Sequence, residues 1–169
     1  MNEITAPATG EHTTQGTPHG FTSLTPYLAL QNPDGAMDFY RDVFGAEAIS
    51  VLRHEGTIIH AELQFGHGRL QLGAAAEAFH LVAPDPAQDT VQYSLTLYLP
   101  DVDAVVDKAV AAGAIVREPL TTWVSGDRYA SLRDPFGVRW SVRTRVEDLS
   151  DEESAERVAA WMDEMAAQS

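Results

Sequence analysis

Two stretches of this chain, one in each half, follow the same order of patterns. "LTPYLALQNPDGAMDFYRDVFGAEAISVL", from Leu24 to Leu52, reads as a strand, a short loop holding Pro33, a helix, Gly45-Ala46 and a second strand. "YSLTLYLPDVDAVVDKAVAAGAIVREPL", from Tyr93 to Leu120, repeats that order around Pro100 and Gly113-Ala114. A chain that repeats one supersecondary unit builds its fold from two copies of it. The helical period agrees in both copies. Ala36, Phe39, Tyr40 and Val43 fall on one face of the first helix, and Val102, Val105, Val106 and Ala109 on one face of the second. The glycine after each helix suits a left-handed C-terminal cap.

A hairpin pattern follows each copy. "TIIHAELQFGHGRLQLGA" turns at Gly66 to Gly68, and "DRYASLRDPFGVRWSV" turns at Asp134-Pro135-Phe136-Gly137, where proline suits the second turn position and glycine a positive φ. Alternation at Leu63 and Phe65, and at Leu70 and Leu72, predicts half-buried antiparallel strands. Each copy is therefore βαβββ. The expected fold class is α+β: paired βαβββ modules forming a cupped mixed sheet, followed by a C-terminal amphipathic helix.

The domain boundaries come from composition. Residues 1–22 are polar, with little apolar periodicity, and are expected to be a flexible tail. Residues 23–146 form the domain, with module one at 23–75, a proline-containing linker at 76–90 and module two at 91–146. Residues 147–169 are an acidic linker and a helix. There Ser150 and Glu153 have the spacing of a capping box, and Val158, Trp161, Met162 and Met165 form an apolar stripe that needs a partner surface.

Composition narrows the function. Of 169 residues, 25 are acidic and 11 basic, a net charge of -14, so neither nucleic acid nor an anionic membrane is an expected partner. The absence of cysteine excludes disulfides, thiolate metal sites and cysteine nucleophiles. No apolar run is long enough to span a bilayer, and the start has no export-signal pattern, so a cytoplasmic location is expected. "GHGR" lacks a following helix to aim backbone N–H groups at a phosphate, and reads as a turn.

The paired βαβββ units, with "FYRDVFGAE", "HAEL" and "GDRYASLRDPFGVRWSV", resemble the vicinal oxygen chelate (VOC) superfamily, and within it the PhnB-like branch grouped with glyoxalase and bleomycin-resistance proteins. The likeness covers roughly residues 24–157. It implies the fold strongly and the substrate weakly, because the fold hosts lyases, epimerases, dioxygenases and binding proteins. The superfamily's metal enzymes place one ligand in the first strand of each unit and one carboxylate in the last. Carried over to this chain, those positions fall on Thr25, Gln71, Ser94 and Ser141. All four are neutral, and such oxygens lack the charge to hold a transition metal against water. No metal or other cofactor is therefore expected, and the concavity is expected to be a polar pocket for an organic ligand.

Further candidates come from the residues themselves. Trp123, Asp127, Arg128 and Tyr129 could stack and orient a flat ligand at a pocket mouth, against the alternative that Asp127 and Arg128 secure the loop and Trp123 is core. Arg139 has the parity of Ser141, so the two share a face and Trp140 takes the other. An inward arginine favours an anionic or carbonyl-bearing ligand. His60 and Glu62 lie two apart on one strand face and are the candidate catalytic pair, either for acid–base chemistry or, with His54 or His67, for a displaced metal site. Two readings stay open: a metal-free small-molecule binding protein of the drug- or metabolite-sequestering kind, and a VOC-fold enzyme of lyase, isomerase or dioxygenase type using a divalent metal or acid–base site at His60 and Glu62. A homodimer is expected in either case.

Overall fold

The computed structural model describes residues 6–168. The chain divides between Ala83 and Pro84 into two compact units. The first contains strands β1 (Thr13–Thr14), β2 (Thr17–Pro18) and β3 (Tyr27–Leu30), helix α1 (Pro33–Phe44), and strands β4 (Glu47–His54), β5 (Thr57–Phe65) and β6 (Gly68–Ala74). The second contains β7 (Leu95–Tyr98), α2 (Val102–Ala111), β8 (Ile115–Thr122), β9 (Asp127–Arg133), β10 (Arg139–Arg145) and α3 (Asp151–Ala167).

Each unit holds a four-stranded mixed sheet, in the orders β3-β6-β5-β4 and β7-β10-β9-β8. In both, the first and last strands of the module pair in parallel and the other neighbours pair antiparallel. This is the βαβββ module read from the sequence, present twice. With the three α-helices of the described residues, it is the α+β architecture of the VOC fold.

Local chemistry explains the elements. Helix α1 starts at Asn32, whose side chain accepts from the Gly35 N–H, with Pro33 at the first helical position, and stops at Gly45 in the left-handed conformation. Its buried face is the expected Ala36, Phe39, Tyr40 and Val43, joined by Phe44, whose ring stacks on Tyr40 at 5.9 Å. Beneath it, Leu28, Leu30, Ala61, Leu63, Leu70 and Leu72 are buried. Each large apolar side chain buried in this way stabilises the unit by about 1.5–3 kcal/mol before entropy is counted. Helix α2 starts at Asp101, which accepts from the Ala104 N–H. It buries Val102 and Ala109 and half-buries Val105 and Val106.

The C-terminal helix has its capping box in both directions: the Ser150 hydroxyl accepts from the Glu153 N–H and the Glu153 carboxylate from the Ser150 N–H. Only part of its stripe is covered. Trp161 meets Trp123 edge-to-face at 5.4 Å, whereas Met162 and Met165 are exposed. None of the described helices is long and apolar enough to cross a membrane.

One segment differs from its expectation. Within the stretch expected to be a flexible tail, β1 and β2 form a small hairpin around Gln15 and Gly16, both at positive φ. Phe21 then lies under the Arg69 guanidinium, 4.3 Å from the ring centroid. The hairpin's own hydrogen bonds and this cation–π contact supply the order that polar composition did not suggest. Residues 1–5 of the expected tail lie outside the described residues, as does Ser169 at the end of the expected helical segment.

Candidate functional site

In the second unit, strand alternation separates two faces. Ala130, Leu132, Trp140 and Val142 are buried on the face that receives α2. The opposite face carries a row in direct register: Thr96 beside Ser141, Ser141 beside Ser131, and Ser131 beside Glu118. That face floors a concavity of about 900 Å3. Tyr93, Trp123 and Tyr129 contribute aromatic wall, and Arg139, Arg143 and Arg145 project from alternate positions of β10.

The β9–β10 turn holds these residues in register. Asp134 is 3% exposed, and its Oδ1 accepts from the Phe136 and Val138 backbone N–H groups while Oδ2 accepts from Trp140 Nε1, all at 2.9 Å. Gly137 closes the turn at φ 88°, and a Cβ there would stand 2.9 Å from Pro84 Cβ. Both the conformation and the space call for glycine at that position.

The electrostatics of the floor follow from arginine–hydroxyl and arginine–carboxylate contacts. Asp127 is buried and accepts from Arg145 Nε at 2.7 Å, from Tyr98 Oη at 3.2 Å and, at 3.4 Å, from Arg143 Nη1. Arg143 also donates to the Ser141 hydroxyl from Nε (3.2 Å) and Nη2 (3.0 Å). Arg139 donates to the Ser131 hydroxyl at 2.7 Å and lies 3.7 Å from Glu118. Tyr98, and then the charge of Asp127, push the pKa of Arg145 up. Burial, aided by the charge of Asp134, raises that of Tyr93, which stays a neutral phenol.

Six expected residues therefore share one cavity: Ser94, Trp123, Asp127, Tyr129, Arg139 and Ser141. Arg128 does not join them. As the neighbour of Tyr129 on a strand it faces the opposite side, where it makes a bidentate ion pair with Asp103 of α2 at 2.7 and 2.6 Å. Thr25 and Ser94 precede their strands, and the residues paired with Gln71 and Ser141 are Tyr27 and Thr96. The offset is two residues in both modules, which preserves the face. Thr25 donates to the Thr22 carbonyl at 3.4 Å.

Thr96, Ser131, Arg143 and Arg145 were missed, whereas Asp127, expected beside Trp123 and Tyr129, does line the cavity. The parity that places Arg139 with Ser141 extends to Arg143 and Arg145, so part of the signal was present in the sequence.

Gln71, His60 and Glu62 belong to the first unit. Gln71 pairs with Glu62, and the Glu62 carboxylate contacts Arg69 Nη1 at 3.2 Å. His60 Nε2 stands 3.6 Å from Glu62 Oε1, too far for a hydrogen bond, and its ring faces Tyr27 at 6.1 Å.

The residues present do not fit a divalent ion of the VOC type. The row in the second unit offers Thr96, Ser141 and Ser131 beside guanidinium groups. That of the first offers Tyr27, Gln71 and a carboxylate already paired with Arg69. Among the described residues, no group of three or more His, Cys, Asp or Glu converges as a ligand set.

Comparison with known proteins bears on the family and the fold. The family model of the glyoxalase/bleomycin resistance protein/dioxygenase superfamily matches residues 12–142. The uncharacterized protein Rv0887c of Mycobacterium tuberculosis is 30% identical over 135 residues, covering 78% of this chain and 79% of that protein. Among solved structures, TioX from Micromonospora sp. ML1 superposes with a TM-score of 0.58 at 26% identity, covering 76% of this chain and all of TioX. Lactoylglutathione lyase from Agrobacterium tumefaciens has a TM-score of 0.52 at 26% identity, over 73% of this chain and 92% of the lyase.

Proposed function

The chain belongs to the glyoxalase/bleomycin resistance protein/dioxygenase superfamily, and we propose that within it this protein is a cytoplasmic, homodimeric small-molecule-binding protein that needs no metal. The observation that carries the reading is the cavity of the second unit. Its volume, about 900 Å3, lies in the range that accepts a drug-sized molecule. Its floor offers hydroxyls and guanidinium groups where a metal enzyme needs carboxylates and imidazoles.

The dimer has separate support. Ile49, Val51 and Leu52 of β4 and Ile59 of β5 are all more than a third exposed, as are Ile115 and Val116 of β8. Apolar strand residues left in water favour coverage, and a second copy of the chain is the partner that symmetric assembly supplies. Sedimentation equilibrium is expected to give twice the chain mass, and a monomer across the micromolar range contradicts it.

An enzyme centred on His60 and Glu62 has less behind it, because Arg69 already holds the carboxylate that would act as base or ligand. Isothermal titration against a library of aromatic metabolites and antibiotics tests the main reading. Saturable binding at one site per chain, with the ligand recovered unchanged, is the expected outcome. Turnover that disappears in His60→Ala, with the melting temperature unaltered, reverses the order of the two readings.

A further inference from the structure

We propose that this cavity selects an organic acid: a planar aromatic ligand whose carboxylate sits between Arg139 and Arg143, above the Ser141 hydroxyl. The inference rests on the small-molecule reading above and names the ligand class.

The first argument is the pairing of the arginines. Asp127 is the buried carboxylate of the floor, and Arg145 makes the shortest contact to it, at 2.7 Å. Arg143 reaches it only at 3.4 Å and directs its other donors to Ser141, a neutral hydroxyl. Arg139 donates to Ser131, also neutral, and its carboxylate neighbour Glu118 stands 3.7 Å away with its side chain 53% exposed. The two arginine side chains are only 19% and 30% exposed. Cations withdrawn from water to that degree, with hydroxyls as their closest acceptors, retain donors and charge for an incoming anion.

The duplicated module supplies an internal comparison. In the first unit, Arg69 precedes Gln71 by two residues, as Arg139 precedes Ser141, and Glu62 pairs with Gln71 as Ser131 pairs with Ser141. Glu62 neutralises Arg69 at 3.2 Å, and the ring of Phe21 covers the guanidinium. The same fold thus carries the same arginine twice, and a serine in place of the glutamate leaves the second copy with only Glu118, 3.7 Å away and half exposed, as a carboxylate neighbour.

Shape gives the rest of the ligand. Residues two apart on β10 project side by side, so Arg139 and Arg143 flank Ser141 and a single carboxylate fits between them. Tyr129 lies beside Arg143, with Cζ 5.7 Å from its ring centroid, and Trp123 and Tyr93 offer further apolar faces. A flat ring extending from the carboxylate meets those faces.

Three probes of one shape test the inference by calorimetry on the full chain: 2-naphthoate, 2-naphthamide and 2-naphthylmethylammonium. The acid is expected to bind roughly tenfold or more tightly than the amide, and the ammonium most weakly. In Arg139→Gln the ratio of acid to amide affinity is expected to fall towards one. Ser131→Glu is expected to do the same, by giving Arg139 the partner that Arg69 already has. Melting curves check that both variants fold, and the comparison of probes on the unaltered chain does not depend on them. Equal binding of acid and amide, or tighter binding of the ammonium, overturns the acid inference and leaves the small-molecule reading standing. Absence of binding by all three at millimolar concentration overturns both.

Discussion

Replacing Asp134 by asparagine changes one oxygen of a buried turn into an amide group. The Oδ1 contacts with the N–H groups of Phe136 and Val138 survive, because asparagine keeps that acceptor. The other oxygen now carries hydrogens and faces Trp140 Nε1, a donor, at 2.9 Å. Trp140 is 3% exposed, so water does not take over the lost contact. Losing a hydrogen bond from a buried donor to a charged acceptor costs about 2–3 kcal/mol, less whatever is regained by no longer burying a charge. Asp134→Ala removes all three contacts and is expected to cost more, about 3–5 kcal/mol. Urea unfolding followed by tryptophan fluorescence measures both. The discriminating step is a cycle with Trp140→Phe, which removes the indole donor. In that background Asp134→Asn is expected to cost less by at least about 1 kcal/mol. An equal cost in both backgrounds refutes the reasoning that the turn and β10 are tied through this carboxylate.

Three further outcomes follow from separate contacts. Gly73→Ala places a Cβ against the Ile59 carbonyl and the Tyr27 hydroxyl, and is expected to destabilise by about 1–3 kcal/mol in the same unfolding assay. Arg128→Ala breaks an exposed ion pair with Asp103 and a 3.3 Å hydrogen bond to the Thr122 hydroxyl, on the face away from the cavity, so the melting temperature and the affinity for 2-naphthoate should both stay nearly constant. Glu153 is held below its ordinary pKa by the Ser150 backbone N–H and then by the Ser150 side chain. A depressed carboxylate contributes stability above its unfolded pKa and loses it as the pH falls, so circular dichroism should show α3 weakening below about pH 4.3, with Glu153→Gln flattening that part of the curve.

The module order was legible in the sequence because its signals are local. Helical spacing, the glycines after the helices and the Asp-Pro-Phe-Gly turn each involve neighbouring residues, and each appears where expected. Register was less legible, because pairing with a distant strand sets it. Thr25 and Ser94 have the right parity, but only the contacts of β3 with β6 and of β7 with β10 show that Tyr27 and Thr96 stand opposite the closing-strand residues. The placement of Arg128 was recoverable from alternation alone, since it and Tyr129 are adjacent on a strand and cannot share a face. The hairpin at β1 and β2 also had a local sign, in the Gln15-Gly16 turn between threonines. The ion pair of Glu62 with Arg69 had none, because it joins different strands and competes with the equally plausible pairing to His60.

Net charge and site charge point in opposite directions here, and distance decides between them. At physiological salt, exposed charges are largely screened beyond about 8 Å, so the overall charge of -14 acts on a molecule as it approaches the surface. Inside the cavity, where the ligand carboxylate is proposed to sit, Arg139 and Arg143 are mostly covered, and the carboxylates that share the lining are Asp127, paired most closely with Arg145, and the more exposed Glu118 and Asp89. Opposite charges 4 Å apart attract by about 4 kcal/mol in such partly buried surroundings and by about 1 kcal/mol in bulk water. A polyanion must lay its charge along the acidic exterior and is repelled over its whole length. A small monoanion crosses that field once, with its single charge largely screened, and then meets the arginines at short range. On the proposed reading, the acidic exterior and the arginine pair beside Ser141 would together discriminate among anions by size, and a compact aromatic acid would meet both conditions.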